Sequence, residues 1–354
     1  MKRYRVAVVG CGPRGDDHVH GFLFNGDRFE LVGLCDLDEA RLARVSGRYN
    51  VQCTYTDAEK MMEETKPDIF CFATLPHIRM PLIELGLRHG VKAIAYEKPM
   101  ALTLKEARAI NDQCEAAGVK TIVAHAHTYG SHFTQVKQLI DAGEIGEVHT
   151  IHATAQSWLL QLGTHQIHYM QWFNNGVPID WVFGQVTGKD HLTDSHFSPD
   201  YVFAKLQFAN GVNGILECGP LAPSFLEPPM FWVNDSITIH GSHGYARVIL
   251  GKGWEAVTKS SGQRISGPGM FFPLWETPPY IRQLATWLDD PEKEHFCNGA
   301  RTYHGFEAAM ATCLSSLQRR RIELPIAEIP EEPIFDQIAR ELPDDAVPPA
   351  PGAP

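Results

Sequence analysis

The stretch Tyr4–Gly15, YRVAVVG followed by CGPRG, restricts this chain more than any other. A β-branched apolar run leads into Gly10, Gly12 and Gly15 at G-x-G-x-x-G spacing, and the residues after it read as a helix. Strand, glycine turn and helix in that order suit a dinucleotide phosphate. The first glycine permits the tight turn, the second lets the backbone approach a pyrophosphate, and the third lets the helix pack close to the strand. The helix N terminus adds N–H donors and a partial positive charge. Gly10, Gly12, Pro13, Arg14 and Gly15 are therefore the first candidate cofactor-binding residues.

Glu30–Asp36 (ELVGLCD) reads as a second buried strand that ends in an acid, 21 positions beyond Gly15. A carboxylate at that offset suits the adenosine ribose hydroxyls and would repel a 2′-phosphate, so NAD is favoured over NADP. Two other readings stay open: Asp36 starts a turn or caps the next helix, and Arg41 reaches back to accept NADP. A short strand at Gln52–Tyr55, a helix at Ala58–Glu64 and a strand at Asp68–Ala73 follow. Thr74, Leu75 and His77 then stand at a strand C-terminal end, where open α/β sheets bind ligands. A helix at Pro81–His89, a strand at Val91–Tyr96 closed by Glu97-Lys98-Pro99, a helix at Leu104–Ala117 and a strand at Lys120–Ala124 complete the alternation. This describes a doubly wound parallel sheet, a Rossmann-type α/β domain over residues 1–124.

Beyond residue 124 the pattern changes. A helix at Gln135–Ala142, a strand at Glu147–Ala155 and part of a helix at Gln166–Phe173 give way to consecutive strands. These are Ile179–Thr187, Tyr201–Phe208, Gly214–Gly219, Ser236–His240 and Ala246–Leu250, with turn signals at Ala209-Asn210-Gly211 and Gly241-Ser242-His243-Gly244. Short turns between strands predict a large open antiparallel sheet, making residues 125–354 an α+β domain. Helices on one face leave the other for a partner subunit, so a homo-oligomer through this sheet is expected. Helices at Tyr280–Leu288 and Phe306–Arg320 close the domain, and a Pro-rich tail after about residue 325 ends in AVPPAPGAP, expected to fray at its tip.

A chain of 354 residues exceeds most single cores, in keeping with two domains. The net charge of −11 disfavours nucleic acid and anionic membranes as partners, and no apolar run approaches the roughly 20 residues of a membrane span. MKRYRVAVVG runs into the glycine motif and not into a cleavage site, so a cytoplasmic location is expected. The eight cysteines show no C-x-x-C pair and read as small buried hydrophobes in a reducing compartment.

Taken together, Gly10–Gly15, Asp36, Glu97-Lys98-Pro99 and Gly163-Thr164-His165 resemble the Gfo/Idh/MocA family of sugar and cyclitol oxidoreductases. The likeness extends over about residues 4–325 and includes LIDAGEIGEV at Leu139–Val148 and QRRRIELP at Gln318–Pro325. It implies that Glu97 and Lys98 belong to the cofactor site, with Lys98 contacting both nicotinamide ribose and a substrate hydroxyl. It also implies that His165 is the catalytic base. The chain departs from the family pattern where the chemistry lies. Gln161 stands four residues before His165 in place of the usual aspartate, and His168 replaces another three residues after it. Ala126 and Thr128 replace an Asn and an Arg, and Arg79 replaces a His after the fourth strand.

On chemical grounds Lys98 can donate to a substrate hydroxyl and favour a developing alkoxide, and the imidazole of His165 can take its proton near neutral pH. Gln161 cannot stabilise an imidazolium as a carboxylate would, but it can orient the ring. His125 and His127 share a face if the strand continues, and His165 and His168 share one on a helix. No carboxylate or cysteine accompanies them at recognisable spacing, so no metal is expected. His125, His127, Trp158 and His168 are instead candidate substrate residues lining a sugar pocket, with Tyr129 a further stacking surface and Trp172 read as core.

The expectation is an NAD-dependent dehydrogenase acting on a secondary CH–OH of a small neutral sugar, glycoside or cyclitol. Two alternatives are a redox-assisted glycosidase or lyase that recycles NAD, and a binding protein without turnover.

Overall fold

The computed structural model describes residues 2–193, 198–223 and 233–343, in two compact units. The first comprises Met1–Ala101, Glu106–Tyr129 and Phe272–Thr302, and the second Leu102–Lys105, Gly130–Phe271 and Tyr303–Pro354. In the first unit β1 (Tyr4–Val9), β2 (Phe29–Cys35), β3 (Thr54–Tyr55), β4 (Ile69–Phe72), β5 (Ala93–Tyr96) and β6 (Lys120–Val123) form one parallel sheet, ordered β3-β2-β1-β4-β5-β6. The strand order reverses between β1 and β4, the position where such sheets bind ligands. Helices α1 (Pro13–Phe24), α2 (Glu39–Tyr49), α3 (Ala58–Thr65), α4 (Arg79–Arg88) and α5 (Leu104–Ala116) connect the strands. Because β4 and β5 are covered on both faces, every one of their residues is buried and their sequence is uniformly apolar. Local carboxylates start two helices: Asp38 accepts from Ala40 and Arg41 N–H at α2, and Asp57 from Lys60 N–H at α3.

In the second unit α6 (Ser131–Asp141), β7 (Val148–Ala155) and α7 (Thr164–Phe173) precede β8 (Ile179–Thr187), β9 (Tyr201–Phe208), β10 (Asn213–Cys218), β11 (Asp235–Gly241), β12 (Gly244–Ile249), β13 (Gly253–Val257) and β14 (Arg264–Pro268). With β15 (Ile322–Glu323) they form a nine-stranded sheet, ordered β14-β13-β12-β11-β7-β10-β9-β8-β15. The sheet is mostly antiparallel, as expected, with one exception: β7 and β10 run parallel while every other pair is antiparallel. Sequence-adjacent turns could not reveal that pairing, because β7 and β10 are far apart in the chain. Along β9 and β10 buried and half-exposed residues alternate, so one face packs inward and the other carries Phe203 and, from β8, Phe183.

The chain returns to the first unit with α8 (Pro273–Asp289). Pro278 and Pro279 make the sequence read as a helix only from Tyr280, yet the helix begins about two turns earlier, at Pro273. Each proline leaves a carbonyl four residues back without a donor, and these belong to Leu274 and Trp275, both exposed to water. The far side of α8 packs on α1, where Gly21 lets Thr277 and Ile281 approach closely. α9 (Gly299–Gln318) also starts ahead of its expected position, capped by the Asn298 carbonyl of its side chain, which accepts from Arg301 N–H. Its glycines hide the helical pattern. α10 (Ile334–Glu341) lies within the segment read as tail, while AVPPAPGAP lies outside the described residues. Among the described residues no helix is long and apolar enough to cross a membrane.

Leu284 is fully buried on α8 in the first unit's core, whereas Leu37 is 88% exposed. Leu284→Ala is expected to destabilise the protein by about 3 kcal/mol in urea unfolding, and Leu37→Ala by less than about 0.5 kcal/mol.

Candidate active site

At the turn after β1, three backbones meet. Gly10 has φ +93°, and a Cβ there would overlap the carbonyl oxygen of Ala73 at the end of β4. A Cβ on Gly15 would overlap the carbonyl oxygen of Gly10. Gly12 differs, since a Cβ on it would meet nothing within 4 Å. It is the N-cap of α1, no side chain caps that terminus, and Pro13 occupies the first helical position, where a missing N–H is harmless. Open space above uncapped helix amides is the cradle a pyrophosphate fits. Beside it, the Thr74 hydroxyl is buried without a hydrogen-bond partner among the described residues. Leu75 and His77 follow, both exposed, Leu75 as the N-cap of a 3-10 turn at Pro76–Ile78 and His77 within it.

Asp36 leaves β2 with both carboxylate oxygens placed. Oδ2 accepts from Cys11 N–H at 2.6 Å and Oδ1 from Asp38 N–H at 2.8 Å. Asp38, and not Asp36, caps α2, and Arg41 pairs with Asp38 at 3.1 Å. Arg44 donates to the Cys11 carbonyl at 2.8 Å, so the turn is held from both sides of Cys11.

Past β5, Glu97 is buried and its Oε1 meets Arg14 Nε at 2.9 Å and His18 Nε2 at 3.0 Å. Burial pushes its pKa up, but Arg14, His18 and Lys98 outweigh that and hold the carboxyl far below the usual range. Burial opposes charge on His18, but neighbouring Cys71 and Glu97 raise its pKa to about 10. Lys98 is half-buried. His125 is buried and its pKa is lowered to about 3 by burial, then by Lys98 and His127, which keeps it neutral. The expected continuation of β6 through His125 and His127 does not occur. The strand ends at Val123, and Ala126–Tyr129 form a 3-10 turn. His127 instead has its Nδ1 3.0 Å from Glu276 Oε2 on α8. Tyr129 packs edge-on against Tyr280 in the first unit's core.

In the second unit a π-helical turn at Leu159–Gly163 leads directly into α7. The N–H groups of Gln161, Leu162 and Gly163 all point to the Trp158 carbonyl. Such turns recur at functional sites. Ser157 donates to Gln161 Oε1 at 2.7 Å. His165 and His168 are both buried on α7, and the His165 ring centroid lies 5.9 Å from that of Tyr169. Trp158 is half-buried and its ring centroid lies 4.1 Å from that of His191, the two planes tilted by 34°; His191 Nδ1 lies 2.7 Å from Asp200 Oδ1. Trp172 lies under Lys137. The sequence carries no spacing signal for His18, Glu276, His191 or Asp200, because each partnership spans elements unrelated in sequence. Among the described residues no group of three His, Cys, Asp or Glu side chains is arranged to hold a metal.

Residues 4–125 match the GFO/IDH/MocA family model described as oxidoreductase family, NAD-binding Rossmann fold, and residues 155–247 match the GFO/IDH/MocA C-terminal domain. D-apiose dehydrogenase of Paraburkholderia graminis is 34% identical over 41% of this chain and 38% of its own length. Inositol 2-dehydrogenase of Rhizobium meliloti is 30% identical over 43% of this chain and 45% of its own. The chain thus spans under half the length of these relatives. An oxidoreductase from Agrobacterium radiobacter in complex with NAD+, L-tartaric acid and magnesium superposes with a TM-score of 0.76 at 19% identity, covering 91% of this chain and 98% of the other. GenD2 from gentamicin A biosynthesis, in complex with NAD, gives 0.72 at 18% identity over 92% and 97%. The first unit is an NAD(P)-binding Rossmann domain.

Gly12→Ala is expected to keep the melting temperature of the parent while weakening NAD(P) binding by at least about tenfold in calorimetric titration. Gly15→Ala is expected to lose several degrees of melting temperature, because its Cβ has no space. Protonated His18 contributes stability that is complete below its unfolded pKa near about 6.5 and lost as pH rises through about 10. His18→Gln is therefore expected to flatten the alkaline decline of melting temperature across that window.

Proposed function

Because the chain belongs to the Gfo/Idh/MocA oxidoreductase family, we propose that it is an NAD-dependent dehydrogenase of a secondary hydroxyl on a neutral sugar, glycoside or cyclitol. The observation that carries this reading is the β1–α1 turn, with an open cradle over Gly12 and the Asp36 carboxylate beside it. Gly10, Gly12, Pro13, Arg14 and Gly15 hold the pyrophosphate, Asp36 the adenosine ribose, and Thr74, Leu75, His77, Glu97 and Lys98 the rest of the cofactor. A carboxylate at Asp36 and the engagement of Arg41 with Asp38 both favour NAD over NADP. Bound NAD supplies the hydride acceptor.

Lys98 donates a hydrogen bond to the substrate oxygen and stabilises its developing negative charge. His165 takes the hydroxyl proton. Gln161, fixed by Ser157, orients that ring through a neutral hydrogen bond. His125, His127, Trp158 and His168 serve as substrate contacts, and the neutral state of His125 suits a hydroxyl better than an anion. The relatives named as apiose and inositol dehydrogenases support a substrate of this class. A second copy of the chain covers the half-exposed sheet face that carries Phe183 and Phe203, forming a homo-oligomer.

Neutral Gln161 in the place of a carboxylate also suits a redox-assisted glycosidase or lyase, and one assay separates the readings. With NAD and a panel of sugars and glycosides, the dehydrogenase forms stoichiometric NADH, while the alternative releases aglycone without net NADH. His165→Ala is expected to lower kcat about 100-fold or more, and near-normal turnover would remove the base assignment. Gln161→Asp is expected to move the acid limb of kcat/KM to higher pH by about one unit, since a carboxylate stabilises the imidazolium.

A further inference from the structure

Arg79 is fully buried at the start of α4, and no carboxylate among the described residues pairs with it. Its hydrogen bonds go to backbone: Nη1 donates to the Thr74 carbonyl at 3.0 Å, Nε to that of Pro99 at 3.2 Å, and Nη2 to that of Lys98 at 3.3 Å. Its guanidinium also lies 6.0 Å from the Phe72 ring and 5.7 Å from the Tyr96 ring. These two residues are opposite one another at the ends of β4 and β5, with rings stacked at 5.3 Å. One planar cation therefore joins the segments that leave two adjacent strands. Burial lowers its pKa to about 10, which leaves it charged at neutral pH.

The segments so joined are those from which Thr74 and Lys98 arise. With the adenosine side at β2 and the pyrophosphate at the β1 turn, the other half of a dinucleotide extends over β4 and β5. We propose that Arg79 is a positioning residue for the nicotinamide half of the cofactor site, its forked guanidinium setting the Thr74, Lys98 and Pro99 peptide planes that present Thr74 and Lys98. Nε, Nη1 and Nη2 each reach a different carbonyl, a use of the fixed fork of arginine that a lysine ammonium, a point donor, cannot reproduce. The proposal rests on the NAD reading above.

Calorimetric titration with NAD+ and with ADP, which lacks the whole nicotinamide riboside, tests it. Arg79→Met is expected to bind ADP within about twofold of the parent and NAD+ about tenfold more weakly, the size of effect expected when hydrogen bonds to a charged group are lost. Arg79→Lys, which keeps the charge and loses the fork, is expected to behave as Arg79→Met does. Methylguanidinium added to Arg79→Ala is expected to restore part of the NAD+ affinity and leave ADP binding unchanged. Equal losses for both nucleotides, no loss for either, or parental NAD+ affinity in Arg79→Lys would each overturn the proposal. Failure of the parent protein to bind either nucleotide would instead remove the cofactor reading on which it stands.

Discussion

The first unit depends on backbone approaching backbone at the turn after β1. Gly15 sits against the carbonyl of Gly10, and Gly10 against that of Ala73, so β1, α1 and β4 close on one another with no side chain between them. A single methyl at either glycine would push α1 off the sheet. α8, which packs on α1 through Gly21, would lose its seat with it. The space above Gly12 is the complement of that closeness: the same turn is full beneath and empty above, and only the empty side can admit a phosphate.

Charge around β5 is arranged with similar economy. Glu97, Arg14 and His18 share one buried carboxylate oxygen, so the strand end is tied to α1 by charge-assisted hydrogen bonds. Arg79 solves the opposite problem. A guanidinium taken out of water costs on the order of several kcal/mol, offset here by three carbonyl dipoles, two aromatic faces and the more distant charge of Glu97, with no carboxylate among the described residues in direct contact. Carbonyls are directional acceptors, so the compensation also orients the backbone. In the second unit the π-helical turn gathers three N–H groups on the Trp158 carbonyl before α7 delivers His165 and His168 into buried positions.

Much of the fold was legible because periodicity and turn chemistry are local. Strands β1, β8 and β9, the hairpin at Gly241–Gly244 and the turn at Ala209–Gly211 coincide with what alternation and glycine placement predict. The start of α8 was hidden because proline propensity argues against a helix, and burial of its far side outweighs that penalty. The parallel pairing of β7 with β10 left no local trace. His125 and His127 failed to share a strand face because β6 ends at Val123. The following 3-10 turn sends His127 to a carboxylate 149 residues further on.

By itself the sequence determined the nucleotide-binding turn, the acid after β2, the family and the alternation of strand and helix. These are properties of short segments, where sterics and spacing suffice. Only the tertiary structure decided which charges neutralise one another and which helix supports the turn. It likewise decided that an arginine within an apolar helix serves the backbone of two strands. Each of those outcomes depends on elements distant in the chain being brought within hydrogen-bonding range, and desolvation then makes every unmatched charge or donor costly. At Arg79 that cost selects one arrangement of three carbonyls, a choice invisible in the segment RMPLIELGLR.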